Sequence, residues 1–411
     1  MPLIRRWQDI NNLVGDARLT PAEQQLIKAC KTGEPCTLGD GKLPLDGTPS
    51  PERKIRADLL RYLILGGCEE CNVEGWGVML TGAYVTGELD LSFAVARGVT
   101  RLMECRFDIN IIALQTRFEL VNLTGSAIQA LKAQRAKVAG SVYLRRIIAK
   151  AEVGFVGSTI SGQLDCEGAR FEAAEGRSLN AQRMKVVQGL IWREITTGQG
   201  VFDFSAAQVG DLADDPECWP EKGKLILDGF TYDRITSAPT DAKTRIAWLE
   251  KGSEWNGEFY PQPFTQLANV LREMGHDSKA RNVLFRREQL LRRNSRAQQR
   301  IVPNGEMTVG LLSIWRDIKN GFQYCFDLLL RRVVGYGHRP FRSLWLLVAF
   351  IGLAIIPAHF AYEEGSFAPN SGPVLVSNGW LDYHTSESNP AKVWSGEVPP
   401  AGWTPPGKES K

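Results

Sequence analysis

The chain has 411 residues, and 49 Lys and Arg against 46 Asp and Glu give a formal net charge of +3. This length predicts two or three domains, and the balanced charge argues against a strongly acidic protein that mimics DNA. The eight cysteines are dilute, and Cys105 and Cys166 stand where Leu or Val would fill a core. They indicate buried thiols in a reducing compartment, and the N-terminus lacks the apolar stretch of a signal peptide.

Residues 1–74 are predicted to form a helical N-terminal cap. Thr20 is a candidate N-cap, followed by Pro21 at the first helical position, and the helix is expected to continue through Lys31. A second amphipathic helix is predicted over 52–65. Because the end of a β-solenoid is an exposed sheet edge, we expect this second helix to cover the first coil.

Residues 75–235 carry an internal repeat of about 22 residues. The phrase Ala136-x-Val138-x-Gly140-x-Val142-x-Leu144 recurs as Ser158-x-Ile160-x-Gly162-x-Leu164-x-Cys166. We also align with it the upstream residues from Ala83 to Leu91 and, downstream, Lys185, Val187, Gly189 and Ile191. A fixed period with alternating apolar residues inside each unit predicts stacked coils of β-strands. The glycines are expected to turn corners and to allow close approach of neighbouring coils.

The predicted fold is therefore mainly β, a right-handed parallel β-helix with an N-terminal helical cap, followed by an α-helical hairpin and one transmembrane helix. The alternative is a sandwich of short strands, which the absence of hairpin turns such as Asn-Gly disfavours. Residues 173–177 are predicted to form an inserted surface turn, and 211–223 an excursion loop. The last coil is expected at 224–234.

Two sets of residues in this part could carry chemistry. Cys68 and Cys71 form a CxxC, and with Cys30 and Cys36 they are weak candidates for a metal or redox site. The alternative is a simple turn leading into the first coil. Asp90 and Asp165 occupy similar slots in the repeat and are candidates for the paired carboxylates of a glycosidase. The alternative is a solvated face, which the sequence favours.

Residues 240–300 change to a helical period. The sequence predicts a short helix over 245–251 and then a helical hairpin whose turn contains Gly275 and His276. The second helix is rich in arginine, which indicates contact with anionic lipid headgroups or nucleic acid. No aromatic residues are interleaved with the end of this run, so base stacking and a nucleic-acid partner are not favoured.

Residues 343–362 form an uncharged stretch of the length that spans a bilayer. An interfacial amphipathic segment is predicted at 306–341, and a polar extracytoplasmic tail at 363–411. The excess of basic residues before the predicted span places the N-terminal domains in the cytoplasm. The residues expected to contact the membrane are Arg331, Arg332, Arg339, Arg342, Trp345 and Tyr362.

The run 260–284, the segment Gly335-Tyr-Gly-His-Arg339-Pro-Phe before the predicted span, and Gly162-Gln-Leu-Asp-Cys-Glu-Gly-Ala-Arg-Phe171 carry a family resemblance. Together they resemble uncharacterised bacterial inner-membrane β-helix (pentapeptide-repeat-like) proteins, often loosely labelled membrane-associated oxidoreductases. The resemblance implies a β-helix at the bacterial inner membrane and supplies no catalytic residue. It also implies a second membrane span, which the sequence does not contain before Lys411.

The leading hypothesis is a membrane-anchored scaffold that presents a cytoplasmic β-helix to a protein partner. The oxidoreductase label is an alternative, but the sequence shows no GxGxxG fingerprint and predicts no cofactor. A further alternative is an oligomeric pore or channel-like effector. The expected partners are the lipid bilayer and an unidentified protein, with a homo-oligomer as an additional possibility.

Overall fold

The computed structural model of the protein describes residues 4, 6–11, 18–69, 71–301 and 341–363. They belong to two units, Met1–Gly305 and Glu306–Lys411. The interfacial segment predicted at 306–341 and the tail predicted at 363–411 lie outside the described residues except for Phe341 and Glu363 at the ends of a helix. The helices are α1 (Trp7–Asn11), α2 (Pro21–Thr32), α3 (Ala57–Ile64), α4 (Ala242–Gly252), α5 (Gln262–Glu273), α6 (Asp277–Ile301) and α7 (Phe341–Glu363).

The first unit is a stack of coils in which the chain runs along four flat faces in turn. Every strand of the coils pairs in parallel with its equivalent one coil away, and two of the sheets contain seven strands each. This parallel pairing between coils confirms a β-solenoid of about seven turns and excludes the sandwich, whose sheets are antiparallel. The right-handed winding stays a prediction.

Faces 1 and 2 are the two seven-stranded sheets. The strands of face 1 are β2 (Lys54–Arg56), β6 (Tyr84–Thr86), β9 (Arg106–Phe107), β13 (Ala127–Ile128), β17 (Ile148–Ala149), β21 (Arg170–Phe171) and β24 (Thr196–Thr197). The strands of face 2 are β7 (Leu89–Asp90), β10 (Ile111–Ile112), β14 (Leu131–Lys132), β18 (Val153–Gly154), β22 (Arg177–Asn180), β25 (Val201–Asp203) and β27 (Leu225–Ile226).

Faces 3 and 4 belong to one continuous twelve-stranded sheet. Face 3 contains β11 (Arg117–Phe118), β15 (Lys137–Val138) and β19 (Thr159–Ile160), and face 4 contains β1 (Cys36–Thr37), β5 (Gly77–Thr81), β8 (Val99–Met103), β12 (Leu120–Asn122), β16 (Val142–Tyr143) and β20 (Gln163–Asp165). Three longer strands, β23 (Lys185–Trp192), β26 (Gln208–Asp214) and β28 (Thr231–Ile235), run through both faces. Two small hairpins pair β3 (Gly67–Cys68) with β4 (Cys71–Asn72) and β29 (Glu254–Trp255) with β30 (Glu258–Phe259).

The interior is filled by the alternate apolar residues of each face. Val138 and Ile160 pair on face 3, Val142 and Leu164 pair on face 4, and all four are buried. The predicted 22-residue alignment is confirmed for these two coils. Burying a side chain of this kind contributes about 1.5–3 kcal/mol, and each coil can do so only by stacking on its neighbours.

Glycine is required at the corner between faces 3 and 4 because neighbouring coils nearly touch there. A Cβ on Gly162 would lie 2.7 Å from the carbonyl carbon and oxygen of Gly140, and a Cβ on Gly140 would lie 2.7 Å from the carbonyl oxygen of Glu119. Neither glycine has a positive φ. The predicted close approach of the coils is therefore confirmed at these two positions, whereas positive φ is used at other corners.

Register corrects two of the predicted repeats. Val85 pairs with Phe107 on face 1, whereas Val138 lies on face 3, so the phrase from Ala83 to Leu91 is about half a coil out of phase with the one from Ala136. Downstream, Ile160 pairs with Val186, and Val187 is exposed. The alignment on Val187 was wrong by one residue because the offset between these two coils is 26 residues, from Ile160 to Val186, and it is the same where Gln163 pairs with Gly189.

Two predicted element boundaries also change. The helix expected over 52–65 is reduced to α3, because Lys54–Arg56 pairs with β6 and extends face 1. The excursion loop expected from Asp211 begins later, because Asp211 and Leu212 pair with Gly189 and Leu190 inside β26. In both places pairing with the next coil determines the backbone conformation more strongly than local composition does.

The second unit is described only through α7. None of the helices in the described part of the chain is long and apolar enough to cross a membrane, so the transmembrane helix predicted at 343–362 is not shown.

Candidate functional site

Both ends of the solenoid are covered by helices, so its flat faces form most of the surface that a partner could contact. At the N-terminal end, α2 and α3 pack against the first coils. The buried carboxylate of Glu23 joins them, since it accepts hydrogen bonds from the backbone N–H groups of Thr20 and Arg56 and from the Arg56 guanidinium, with Nε 2.8 Å from Oε1. The first coil is thereby held against its helical cap.

At the C-terminal end, a buried ion pair joins the last coils to α4. Asp214 ends β26, and Arg245 projects from the first turns of α4. Arg245 Nη1 and Nη2 donate to the two carboxylate oxygens of Asp214 at 2.8 and 2.7 Å, and both side chains are fully buried. Trp219 Nε1 donates to the same carboxylate at 2.7 Å, and Arg245 Nε donates to the carbonyl of Pro239. This bidentate pair holds α4 against the last coils of the solenoid.

Aromatic rings replace aliphatic side chains in the coils near this pair. Trp192 stacks on Phe171 and on Trp219, with ring centroids 5.7 and 5.1 Å apart, and Trp219 lies 5.4 Å from Trp248. All four residues are buried. Such ring contacts add about 0.5–1.5 kcal/mol per pair beyond the area they bury. These ring contacts stabilise the C-terminal coils.

Two cavities are relevant to binding. The interior void of about 30 Å³ among Leu91, Leu123 and Phe155 is lined by apolar side chains and by Thr100, so a water there would lack the two to four polar partners that it needs. A cavity of about 290 Å³ lies between α4, the β29–β30 hairpin and α6. It approaches the size of a small-molecule site, but Arg286 pairs with Glu250 and Lys222 pairs with Glu254, both at 2.6 Å. Most of its charged groups therefore already have partners.

The candidate carboxylates Asp90 and Asp165 are not brought together. Asp90 lies on face 2 in β7 and accepts a hydrogen bond from the N–H of Ser92. Asp165 lies on face 4 in β20, is buried, and accepts from Arg145 Nε at 2.5 Å and from the N–H of Glu167. Asp90 stabilises a turn and Asp165 forms an ion pair. Their similar positions in the repeat lie on different faces of the solenoid.

Cys68 and Cys71 face each other across the β3–β4 hairpin and are not joined by a disulfide. Cys71 is buried, and burial raises the pKa of its thiol. Burial likewise raises the pKa of Cys30 to about 12 and that of Cys36 to about 11. Raised values oppose the thiolate that metal binding and redox exchange need. No group of three or more metal-ligating side chains occurs within the described ranges of the chain.

The residues predicted to contact the membrane are only partly placed. Arg331, Arg332 and Arg339 lie outside the described residues, and the side chains of Arg342, Trp345 and Tyr362 in α7 are likewise not described. The described side chains of α7 are nevertheless informative. Its large apolar residues are 52–62 % exposed, and they are Leu344, Leu347, Val348, Phe350, Ile351, Leu353, Ile355, Ile356 and Phe360.

The sequence did not single out Asp214 and Arg245, which form the most completely buried ion pair of the described part of the chain. The acidic stretch around Asp214 has the composition of a loop, and Arg245 is one of many arginines. The strand alternation could have identified Asp214, because it stands two residues after the apolar Leu212 and therefore also points into the solenoid. Comparison of the chain with protein-family models, curated proteins and solved structures finds no match.

Proposed function

We propose that the protein is a membrane-anchored scaffold whose β-helix presents its faces to a protein partner. The observation that carries this proposal is the solenoid itself, which is closed at both ends by helices and held by the buried Glu23–Arg56 and Asp214–Arg245 pairs. A stack of hydrogen-bonded coils is a rigid body with long flat sides, and these suit recognition of an extended surface.

The membrane part of the proposal rests on α7. Apolar side chains such as Leu347, Val348, Phe350 and Leu353 are exposed on every side of this helix. A helix that is apolar all round belongs in a protein core or in a bilayer, and exposed apolar patches of this extent mark an interaction surface. We place α7 in a lipid bilayer at the bacterial inner membrane, with the β-helix on the cytoplasmic side, in keeping with the family resemblance in the sequence.

The anchor is tested by fractionation of the full chain. The wild type is expected to stay in the membrane pellet after a carbonate wash, and protease added from the cytoplasmic side is expected to reach the solenoid. The variant Leu347→Arg/Ile351→Arg puts two charges on one side of α7, at roughly 2.5–3.5 kcal/mol each for a helix centre in a bilayer. It is expected to be washed off, whereas the matched variant Leu347→Ile/Ile351→Leu stays. Wild-type protein in the carbonate supernatant would show that α7 is not an anchor.

The scaffold part is tested by photo-crosslinking in cells. A photoreactive amino acid at Thr159 on face 3, at Tyr143 on face 4 or at Ile148 on face 1 is expected to form one discrete adduct from at least one face. The same probe at Glu258, in the tip of the β29–β30 hairpin, is the control. Adducts from the hairpin tip alone, or none from any face, would contradict a role for the faces in recognition.

A further inference from the structure

Face 3 differs from the other faces in the residues it turns outward. Two positions of each coil point outward here, one at the corner between faces 2 and 3 and one two residues later in the strand. The corner residues have a left-handed backbone conformation and are Phe93, Gln115, Arg135, Gly157, Arg183, Ala206 and Gly229. The strand residues are in register and are Val95, Arg117, Lys137, Thr159, Lys185, Gln208 and Thr231.

Five of these positions are basic and none is acidic. We call Arg117, Arg135, Lys137, Arg183 and Lys185 the basic strip. All five are exposed, and none takes part in an ion pair within the described residues. Parallel strands lie about 4.8 Å apart, so the strip places its cations in one plane. Glu119, which follows the strand position of its coil by two residues, is the acidic residue bordering it.

Several cations on other faces are used within the protein. On face 1, Arg106 and Lys150 both contact Asp46, and on face 4, Arg145 contacts the buried Asp165. These pairs account for Arg106, Lys150 and Arg145 by contacts inside the chain. The basic strip has no such internal explanation, and this points to a negatively charged partner outside the chain.

The N-terminal end of the same face is apolar. Phe93 and Val95 occupy the corner and strand positions of the first coil and are 72 % and 63 % exposed. Val95 bridges Arg117, so the apolar end and the basic strip are continuous. Trp76 is also exposed at this end, and its carbonyl accepts the N–H of Val99. Exposed aromatic and aliphatic side chains next to a row of cations are typical of surfaces that lie in a membrane interface.

We propose that face 3 binds the surface of an anionic lipid bilayer, with the basic strip on headgroup phosphates and Phe93 and Val95 inserted into the interface. The proposal rests on the membrane location of the proposed function and names the lipid class that the β-helix contacts. A flat row of cations fits a plane of headgroups. A single-stranded nucleic acid would instead need aromatic residues interleaved with the basic ones, and here the aromatic residues stand at one end.

The test uses the full chain with Leu347→Arg/Ile351→Arg, so that α7 does not hold it on the vesicles. Sedimentation with phosphatidylglycerol-containing vesicles is compared with pure phosphatidylcholine vesicles at low and high salt. Binding is expected for the anionic vesicles alone and is expected to weaken with salt. Carbonate extraction of the wild type reports on α7, and this partition reports on face 3, so the two proposals fail independently.

Within that background, Arg135→Glu/Lys137→Glu is compared with Arg146→Glu/Arg170→Glu. The control pair changes the net charge equally, and both its arginines are exposed and near face 1. Each basic residue at an anionic surface contributes about 1 kcal/mol, so losing two weakens binding about thirtyfold at tenfold per 1.4 kcal/mol, and the added repulsion weakens it further. The control is expected to weaken it less than about threefold. Arg183→Glu/Lys185→Glu repeats the test two coils away.

Equal losses for the strip and control variants would overturn the proposal, because net charge and not face 3 would then govern binding. Binding that persists undiminished in both strip variants would overturn it as well. The proposal would also be overturned if the strip variants lost binding to duplex DNA or to an acidic protein but kept their full binding to vesicles. A thermal midpoint within about 2 °C of the parent is expected for every variant, because the substituted side chains are exposed and unpaired.

Discussion

Replacing Arg245 by methionine tests how the last coils are joined to their helical cap. Arg245 donates two charge-assisted hydrogen bonds to Asp214 and one to the carbonyl of Pro239, and its guanidinium lies 5.3 Å from the ring of Trp248. Methionine is of similar length and is apolar. The substitution removes the positive charge and its donors, and it leaves the Asp214 carboxylate buried with a hydrogen bond from Trp219 Nε1.

The expected loss follows from burial. Both side chains of the pair have zero exposure, and removing one partner of a buried ion pair costs about 3–5 kcal/mol because the other charge is left uncompensated. For a domain of a few hundred residues, 1 kcal/mol lowers the thermal midpoint by about 2–4 °C. We therefore expect the midpoint of Arg245→Met to fall by roughly 10 °C.

Thermal and denaturant unfolding of the full chain would measure this loss. The matched control is Arg286→Met, since Arg286 pairs with Glu250 at 2.6 Å but is 37 % exposed, and exposed pairs contribute at most about 1 kcal/mol. The double variant Asp214→Leu/Arg245→Met is expected to be more stable than Arg245→Met alone, because no charge then remains buried. A loss for Arg245→Met as small as that for Arg286→Met would refute the reasoning.

Two further outcomes are expected. Gly77→Ala should lower the free energy of unfolding by more than about 3 kcal/mol, since the new Cβ would lie 2.4 Å from the carbonyl oxygen of Arg97 at a φ of +83°. The control Gly223→Ala has a similar φ of +88° but open space around the Cβ, and it should lose only about 1–2 kcal/mol. Equal losses in chemical denaturation would contradict the steric argument. Unfolding free energy should also fall as the pH rises above about 9. Burial raises the pKa of Cys30 and Cys105 to about 12, so the folded chain retains protons that the unfolded chain releases. Cys105→Val should make the decline of stability with pH shallower. An unchanged slope in this variant would contradict the assignment to Cys105.

The period of the solenoid could be read from the sequence, but its phase could not. Each of the four faces uses the same inward–outward–inward alternation, so a phrase on faces 1 and 2 resembles one on faces 3 and 4. Ala83 lies 53 residues before Ala136, which is about two and a half coils of 22. Val85 accordingly pairs with Phe107 on face 1, while Val138 lies on face 3. A phrase can be assigned to its face only when it is known which strands, a full coil apart, pair with each other.

The boundaries were misjudged where pairing with another coil competes with local preference. Ile55 fits the apolar spacing of the helix predicted over 52–65, yet Lys54–Arg56 forms β2 because it pairs in parallel with β6. The helical hairpin was easier to predict, because its signals are local. Gly275 has a φ of +79° after α5, and the N–H of His276 donates to the carbonyl of Leu271 at 2.7 Å, as expected for a helix C-terminus.

The same distinction explains which functional features the sequence reveals. A long apolar run such as that of α7 is local, so it could be noticed without any knowledge of the fold. The basic strip is dispersed over about 70 residues, and its arginines and lysines are separated by 18 or more positions between coils, for example Arg117 and Lys137. They form a surface only because the strands are in register. Since net charge averages this surface against the acidic residues of other faces, a chain with a charge of only +3 can still present one face suited to an anionic membrane.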